Sequence, residues 1–130
     1  MNKTTDPGQA GDGDTPVLAV VSDLFFVARI RETARLCDAP VVFARTPEEL
    51  ERELAAAPDL VLLDLTTPGW DYGALFAKVE ARAPRVPVLG FTTHALARQT
   101  LPLHPRCERV VTRETLTQEL GRILTVGIAA

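Results

Sequence analysis

The sequence predicts an α/β domain built on a five-stranded parallel sheet, on three observations. Apolar runs such as residues 17–21 and 60–63 do not alternate with polar residues, as expected of strands buried on both faces. Longer amphipathic segments with helical spacing separate these runs, the pattern of repeated βα units. Five strand–helix pairs can be counted from Pro16 onward, and 130 residues suit one such domain rather than two.

The first strand covers 17–21, and its helix carries Phe26, Ile30, Ala34 and Cys37 at helical spacing. The second strand is 41–44. Its helix has a clear start, because Thr46 can cap, Pro47 suits the first helical position and Glu49 completes a capping box. Leu50 and Leu54 then face inward. The third strand ends at Asp64, and Pro68-Gly69 turn the chain. A helix over 72–83 carries the stripe Leu75, Phe76 and Val79. Strand four covers 86–91, and a helix from residue 95 is limited to about two turns by Pro102 and Pro105. Strand five is 109–111. The last helix carries Leu116, Leu120, Ile123 and Leu124, with Thr115 and Gln118 as a second capping box. Residues 1–15 hold almost nothing that folding could bury and are expected to form a flexible tail. The domain is expected over 16–125, with a C-terminal tail over 126–130.

The charge pattern excludes some functions. A net charge of −3 with scattered Lys and Arg lacks the basic footprint of a nucleic-acid binder, so no direct nucleic-acid contact is expected. No apolar stretch is long enough to span a membrane, and the N-terminus lacks the apolar core of a secretory signal. A cytoplasmic protein without membrane association is expected. Cys37 and Cys107 lack metal-ligand spacing and are expected to be reduced, buried thiols.

In a sheet wound this way, the carboxyl ends of the strands bring Ser22-Asp23, Asp64, Thr92-Thr93 and Thr112-Arg113 to one rim, where open α/β sheets place ligands. Two carboxylates held close together repel unless a cation sits between them, and hard oxygen ligands suit Mg²⁺. A carboxylate can attack a phosphoryl group to give an acyl phosphate, while a metal, a hydroxyl and a cation hold the remaining oxygens. Asp64, Asp23, Thr92 and Arg113 can fill these four roles. Simpler readings stand beside them: Asp64 as a turn or helix cap, Ser22 or Asp23 as the cap of the first helix, the threonines as helix-start residues, and Arg113 as a solvated side chain. His94 and His104 are given no role.

The segment Pro58-Asp59-Leu60-Val61-Leu62-Leu63-Asp64-Leu65-Thr66-Thr67-Pro68-Gly69 resembles the phospho-acceptor segment of response-regulator receiver domains of two-component systems, including the single-domain chemotaxis type. The resemblance covers residues 16–125. It implies a flavodoxin-like, doubly wound sheet in the order 2-1-3-4-5. It also implies that Asp64 accepts a phosphoryl group from a sensor histidine kinase or histidine phosphotransfer protein, with Mg²⁺ held by Asp23, Asp64 and the backbone carbonyl of Thr66. Thr92 matches the family's switch hydroxyl. Arg113 matches the phosphate-contacting lysine, judged from Leu120 seven residues on, and a shift of one would place Thr112 there. The chain is expected not to be an enzyme and to signal by altered binding to a downstream protein target.

Several positions depart from the family. Ser22 replaces the first of two acidic residues, Arg113 replaces lysine, and Val110 stands where many members carry an aromatic that moves with the switch hydroxyl. Phe25 and Phe26 are expected to cap the pocket with apolar surface. These departures favour an alternative, a pseudo-receiver that binds partners without phosphorylation. A flavin or nucleotide site would need a glycine-rich or hydroxyl-rich loop after strand one, and Ser22-Asp23-Leu24-Phe25-Phe26 is neither. Monomer and homodimer stay open.

Overall fold

The computed structural model describes residues 15–82 and 85–128. The expected N-terminal tail therefore lies, except for Thr15, outside the described residues. Along the chain come β1 (Val17–Val20), α1 (Leu24–Cys37), β2 (Val41–Phe43), α2 (Pro47–Ala55), β3 (Leu60–Asp64) and α3 (Tyr72–Glu80). They are followed by β4 (Val88–Thr92), α4 (Ala97–Thr100), a 3₁₀ helix (Leu101–Arg106), β5 (Arg109–Thr112) and α5 (Arg113–Val126). The strands form one parallel sheet in the order β2-β1-β3-β4-β5, the order that the family resemblance implies.

Strand alternation divides the core between the two faces of the sheet. Val17, Ala19, Leu60, Leu62, Leu89 and Phe91 pack with α1 and α5, whereas Leu18, Val20, Val61, Leu63 and Val88 pack with α2 and α3. Each fully buried aliphatic side chain contributes about 1.5–3 kcal/mol of transfer free energy, so the central strands hold the fold together from both sides. The same alternation sets the site. Asp64 continues the parity of Leu60 and Leu62 and points to the α1/α5 side, while Thr92 follows Val88 to the other side.

Gly90, in the middle of β4, is needed for close packing. A Cβ there would lie 2.8 Å from Cys107 Sγ and 3.0 Å from Leu65 Cδ1. Gly69, with φ +92°, supplies the left-handed turn after Pro68.

The helix starts differ from the expected ones in detail. Thr46 Oγ1 accepts from Glu49 N at 3.1 Å as predicted, but Glu49 Oε1 reaches back to Arg45 N, one residue before the cap. The second capping box does not form. β5 runs directly into α5, so Thr112 is the cap and its Oγ1 accepts from Thr115 N at 3.2 Å. α3 ends at Glu80, short of the expected residue 83, which lies outside the described residues. The expected two-turn helix after strand four is a single α turn that continues as the 3₁₀ helix containing Pro102 and Pro105. At the C-terminus, α5 extends to Val126 and Ile128 packs against the core, so ordered structure continues past residue 125.

Candidate functional site at the carboxyl edge of the sheet

Asp64 ends β3 in register with Phe91, its side chain only 4% exposed. Its two carboxylate oxygens have different partners. Oδ1 accepts from Thr66 N at 2.8 Å and from Thr66 Oγ1 at 2.6 Å, so it is engaged by its own turn. Oδ2 faces Arg113, whose Nη2 lies 3.4 Å away. Tyr72 braces this turn from α3. Its hydroxyl donates to the Asp64 carbonyl at 2.7 Å and accepts from Thr67 N at 3.0 Å. Burial pushes the Tyr72 phenol up to about 12, against the hydrogen bond that Thr67 provides.

Asp23 caps α1. Its Oδ1 accepts from Phe26 N at 3.0 Å, and its Oδ2 lies 3.3 Å from Arg113 Nη1. The capping role and the site role therefore use different oxygens of one carboxylate. Its pKa is held below the ordinary carboxylate value, first by the Phe26 N–H and then by Arg113, against the opposing effect of burial.

Arg113 occupies the first helical position of α5, where a cation opposes the helix dipole. The two aspartates offset that cost. The guanidinium carbon sits 5.1 Å from the Phe26 ring centroid and 6.0 Å from that of Phe91, and the two rings pack at 5.2 Å. Among the described residues, the buried Arg113 Nε has no hydrogen-bond partner. Of the two residues after strand five, Arg113 is the one whose side chain reaches Asp64, while the Thr112 hydroxyl caps α5. The expected apolar cap over the pocket is only half present: Phe26 lies beneath the guanidinium, whereas Phe25 is 91% exposed. The spacing that puts Phe26 on the buried stripe of α1 turns its neighbour outward.

Thr92 is buried at the end of β4 and is not turned against Asp64. Its Oγ1 lies 3.1 Å from Thr100 Oγ1, and Thr100 Oγ1 is also 2.9 Å from His104 Nε2. Neither Thr100 nor His104 was singled out from sequence. Their spacing of four residues was visible, but Pro102 between them argued against a shared helical face.

The donor set is chemically suited to a hard divalent ion. Two carboxylate oxygens, Asp23 Oδ2 and Asp64 Oδ2, face the two terminal nitrogens of one guanidinium, and carbonyl or water oxygens would complete the coordination of an ion there. Arg113 already fills the space between them, and Ser22 adds no charge. Two carboxylates against one guanidinium leave one net negative charge. Among the described residues no cluster of three or more His, Cys, Asp or Glu side chains could hold a metal ion. Cys37 and Cys107 are free thiols, each partly buried, and burial pushes Cys107 up to about 11. Among the described residues no helix is long and apolar enough to cross a membrane.

No protein-family model matches the chain, and no curated protein matches it in sequence. Solved structures match its fold across most of its length. A response regulator from Hahella chejuensis is 20% identical, with 88% of this chain and 98% of that one covered and a TM-score of 0.69. The receiver domain of the sensor histidine kinase PA1611 from Pseudomonas aeruginosa PAO1, with a magnesium ion coordinated in its active site cleft, is 21% identical (89% and 98% covered, TM-score 0.69). The phosphorylated cyanobacterial phytochrome response regulator RcpA is 23% identical (85% and 88% covered, TM-score 0.59). The chain has the fold of response-regulator receiver domains.

Proposed function

We propose that the chain is a receiver that accepts a phosphoryl group on Asp64 from a sensor histidine kinase or a histidine phosphotransfer protein. The carrying observation is the division of labour at Asp64: Oδ1 is held by Thr66, leaving Oδ2 beside the Arg113 cation as the only oxygen free to attack. In the transfer, Asp64 Oδ2 forms a bond to phosphorus and the phosphorus–nitrogen bond of the donor phosphohistidine breaks. The electron pair of that bond leaves with the imidazole, which takes up a proton. Arg113 is the cation beside the new phosphoryl oxygens, although a planar guanidinium does not place its charge as a lysine ammonium would.

Mg²⁺ would be held by Asp23, Asp64 and the backbone carbonyl of Thr66, and when bound it supplies charge neutralisation for the incoming phosphoryl group. The magnesium in the cleft of the Pseudomonas receiver and the phosphorylated state of RcpA support this reading by fold likeness. The signal then passes to a downstream protein target by altered binding, in the cytoplasm, without catalytic turnover of a substrate by the chain itself.

A direct assay tests the proposal. With Mg²⁺ and a small phosphodonor, the wild type should gain acid-labile phosphate and Asp64→Asn should gain none; an unlabelled wild type would refute it. The bridging of Asp23 and Asp64 by Arg113 favours a second reading, a pseudo-receiver whose site is closed by its own cation. Trp70 separates the two. It lines a 260 Å³ cavity with Ser22 and Thr67 beside the site. A change in its fluorescence with Mg²⁺ and beryllofluoride supports phosphorylation, and an unresponsive Trp70 supports the closed site.

A further inference from the structure

The hydrogen-bond chain from Thr92 to the surface contains too few hydrogens for all its contacts to be made in every arrangement. Thr100 Oγ1 has three polar neighbours: Thr92 Oγ1 at 3.1 Å, the Ala97 carbonyl at 3.2 Å and His104 Nε2 at 2.9 Å. Thr100 has one hydroxyl hydrogen to give. Thr100 is 5% exposed and Thr92 3%, so water does not readily make up the difference.

Suppose that His104 Nε2 carries no hydrogen. The 2.9 Å contact then requires Thr100 to donate to the ring, and the contact between the two threonines requires Thr92 to donate to Thr100. The hydroxyl hydrogen of Thr92 is consumed inside the chain. Suppose instead that Nε2 carries a hydrogen. His104 donates to Thr100, Thr100 can donate to Thr92 Oγ1, and the Thr92 hydrogen is left with only the long 3.5 Å contact to the Thr93 carbonyl. In the remaining arrangement Thr100 donates to the Ala97 carbonyl, which again makes Thr92 the donor to Thr100. With all of these contacts kept, the Thr92 hydrogen leaves the Thr92–Thr100 contact only when His104 Nε2 carries a hydrogen.

We infer that Thr100 and His104 are positioning residues for the Thr92 hydroxyl, and that a hydrogen on His104 Nε2 lets Thr92 donate to a phosphoryl oxygen at Asp64 while keeping its contact with Thr100. This rests on the reading of Asp64 as phospho-acceptor and adds the route by which that event is felt elsewhere. The route runs from the end of β4 through α4 to the 3₁₀ helix, where His104 is partly exposed. It uses hydrogen-bond direction in a protein whose β5 carries Val110 and no aromatic, with Val110 packed against the α2/α3 core.

Nitrogen-edited NMR of the imidazole rings reads the state of His104 Nε2 directly, with His94 as the internal reference and His104→Gln assigning the signal. In the beryllofluoride complex, His104 Nε2 should resonate as a protonated ring nitrogen. Thr100→Val should abolish this dependence while Trp70 still reports binding, and Thr100→Ser should restore it. A complex with Nε2 bare in the wild type, or one in which Thr100→Val leaves the His104 signal unchanged, overturns the inference. If beryllofluoride does not bind, the phospho-acceptor reading fails separately, and the network is decided in the free protein. There, Thr92→Val should displace the His104 Nε2 signal and Thr92→Ser should return it. An unmoved signal overturns the inference in that case too.

Discussion

Asp23 and Arg113, ninety residues apart in the chain, meet with Oδ2 and Nη1 at 3.3 Å, while the other terminal nitrogen of the same guanidinium faces Asp64. The contact joins the first turn of α1 to the first turn of α5. It makes one cation the shared partner of both acidic residues of the site.

Arg113→Gln leaves the buried Asp64 carboxylate without that cation. Arg113 is one-third exposed, so solvent screening keeps the cost below that of a fully buried pair, and it should be about 1–2 kcal/mol in urea unfolding. If the carboxylates bind Mg²⁺, the ion should return part of the lost stability to the variant and little to the wild type. Equal effects on both proteins would argue against a metal between the aspartates.

Acid should weaken the fold partly through Asp23. Its folded pKa lies below the ordinary value of 3.8, so its contribution is fully present above that value and is lost as pH falls through the folded pKa. Asp23→Asn keeps a capping oxygen and removes the charge. Unfolding curves over an acidic pH series should show the variant losing less stability than the wild type below pH 3.8. Parallel acid limbs would show that Asp23 is not coupled.

The protein's single tyrosine is a second titration probe. Alkaline difference absorbance should place the Tyr72 phenol near 12 in the folded protein and at its ordinary 10.0 after unfolding. A folded pKa above the unfolded one stabilises fully below pH 10.0 and loses that contribution as pH rises toward 12. Tyr72→Phe removes the donor to the Asp64 carbonyl and the acceptor for Thr67 N, and should cost about 1–3 kcal/mol.

Gly90→Ala tests the packing behind the site. The added methyl meets Cys107 Sγ and Leu65, and should destabilise by about 1–3 kcal/mol. Adding Cys107→Ala removes one of the two clashes, and a double-mutant cycle should recover part of the loss. Additive effects would show that the strand moves aside instead.

The aliphatic run ending at Asp64 was legible because a strand buried on both faces cannot alternate, and the turn after it needed the positive φ that Gly69 adopts. Asp23 was legible as a cap, and the cap leaves its second oxygen to face Arg113. The α5 cap was misread. Thr115 and Gln118 satisfy the local rule, but pairing of β5 with β4 carries Thr112 to the helix boundary and gives its hydroxyl the capping role first. Tyr72 gave no signal, and the four-residue spacing of Thr100 and His104 was masked by Pro102 between them.

From its amino acids alone, this protein's fold class and the acidic residue at the end of β3 could be derived, because burial periodicity and turn chemistry are local properties; the strand order came from the family resemblance. Tertiary structure decided which residue after β5 enters the site, where Thr92 directs its hydroxyl, and that one guanidinium is shared by Asp23 and Asp64. Those outcomes depend on distances between side chains far apart in sequence, and such distances exist only once the sheet has brought their backbones to a common edge.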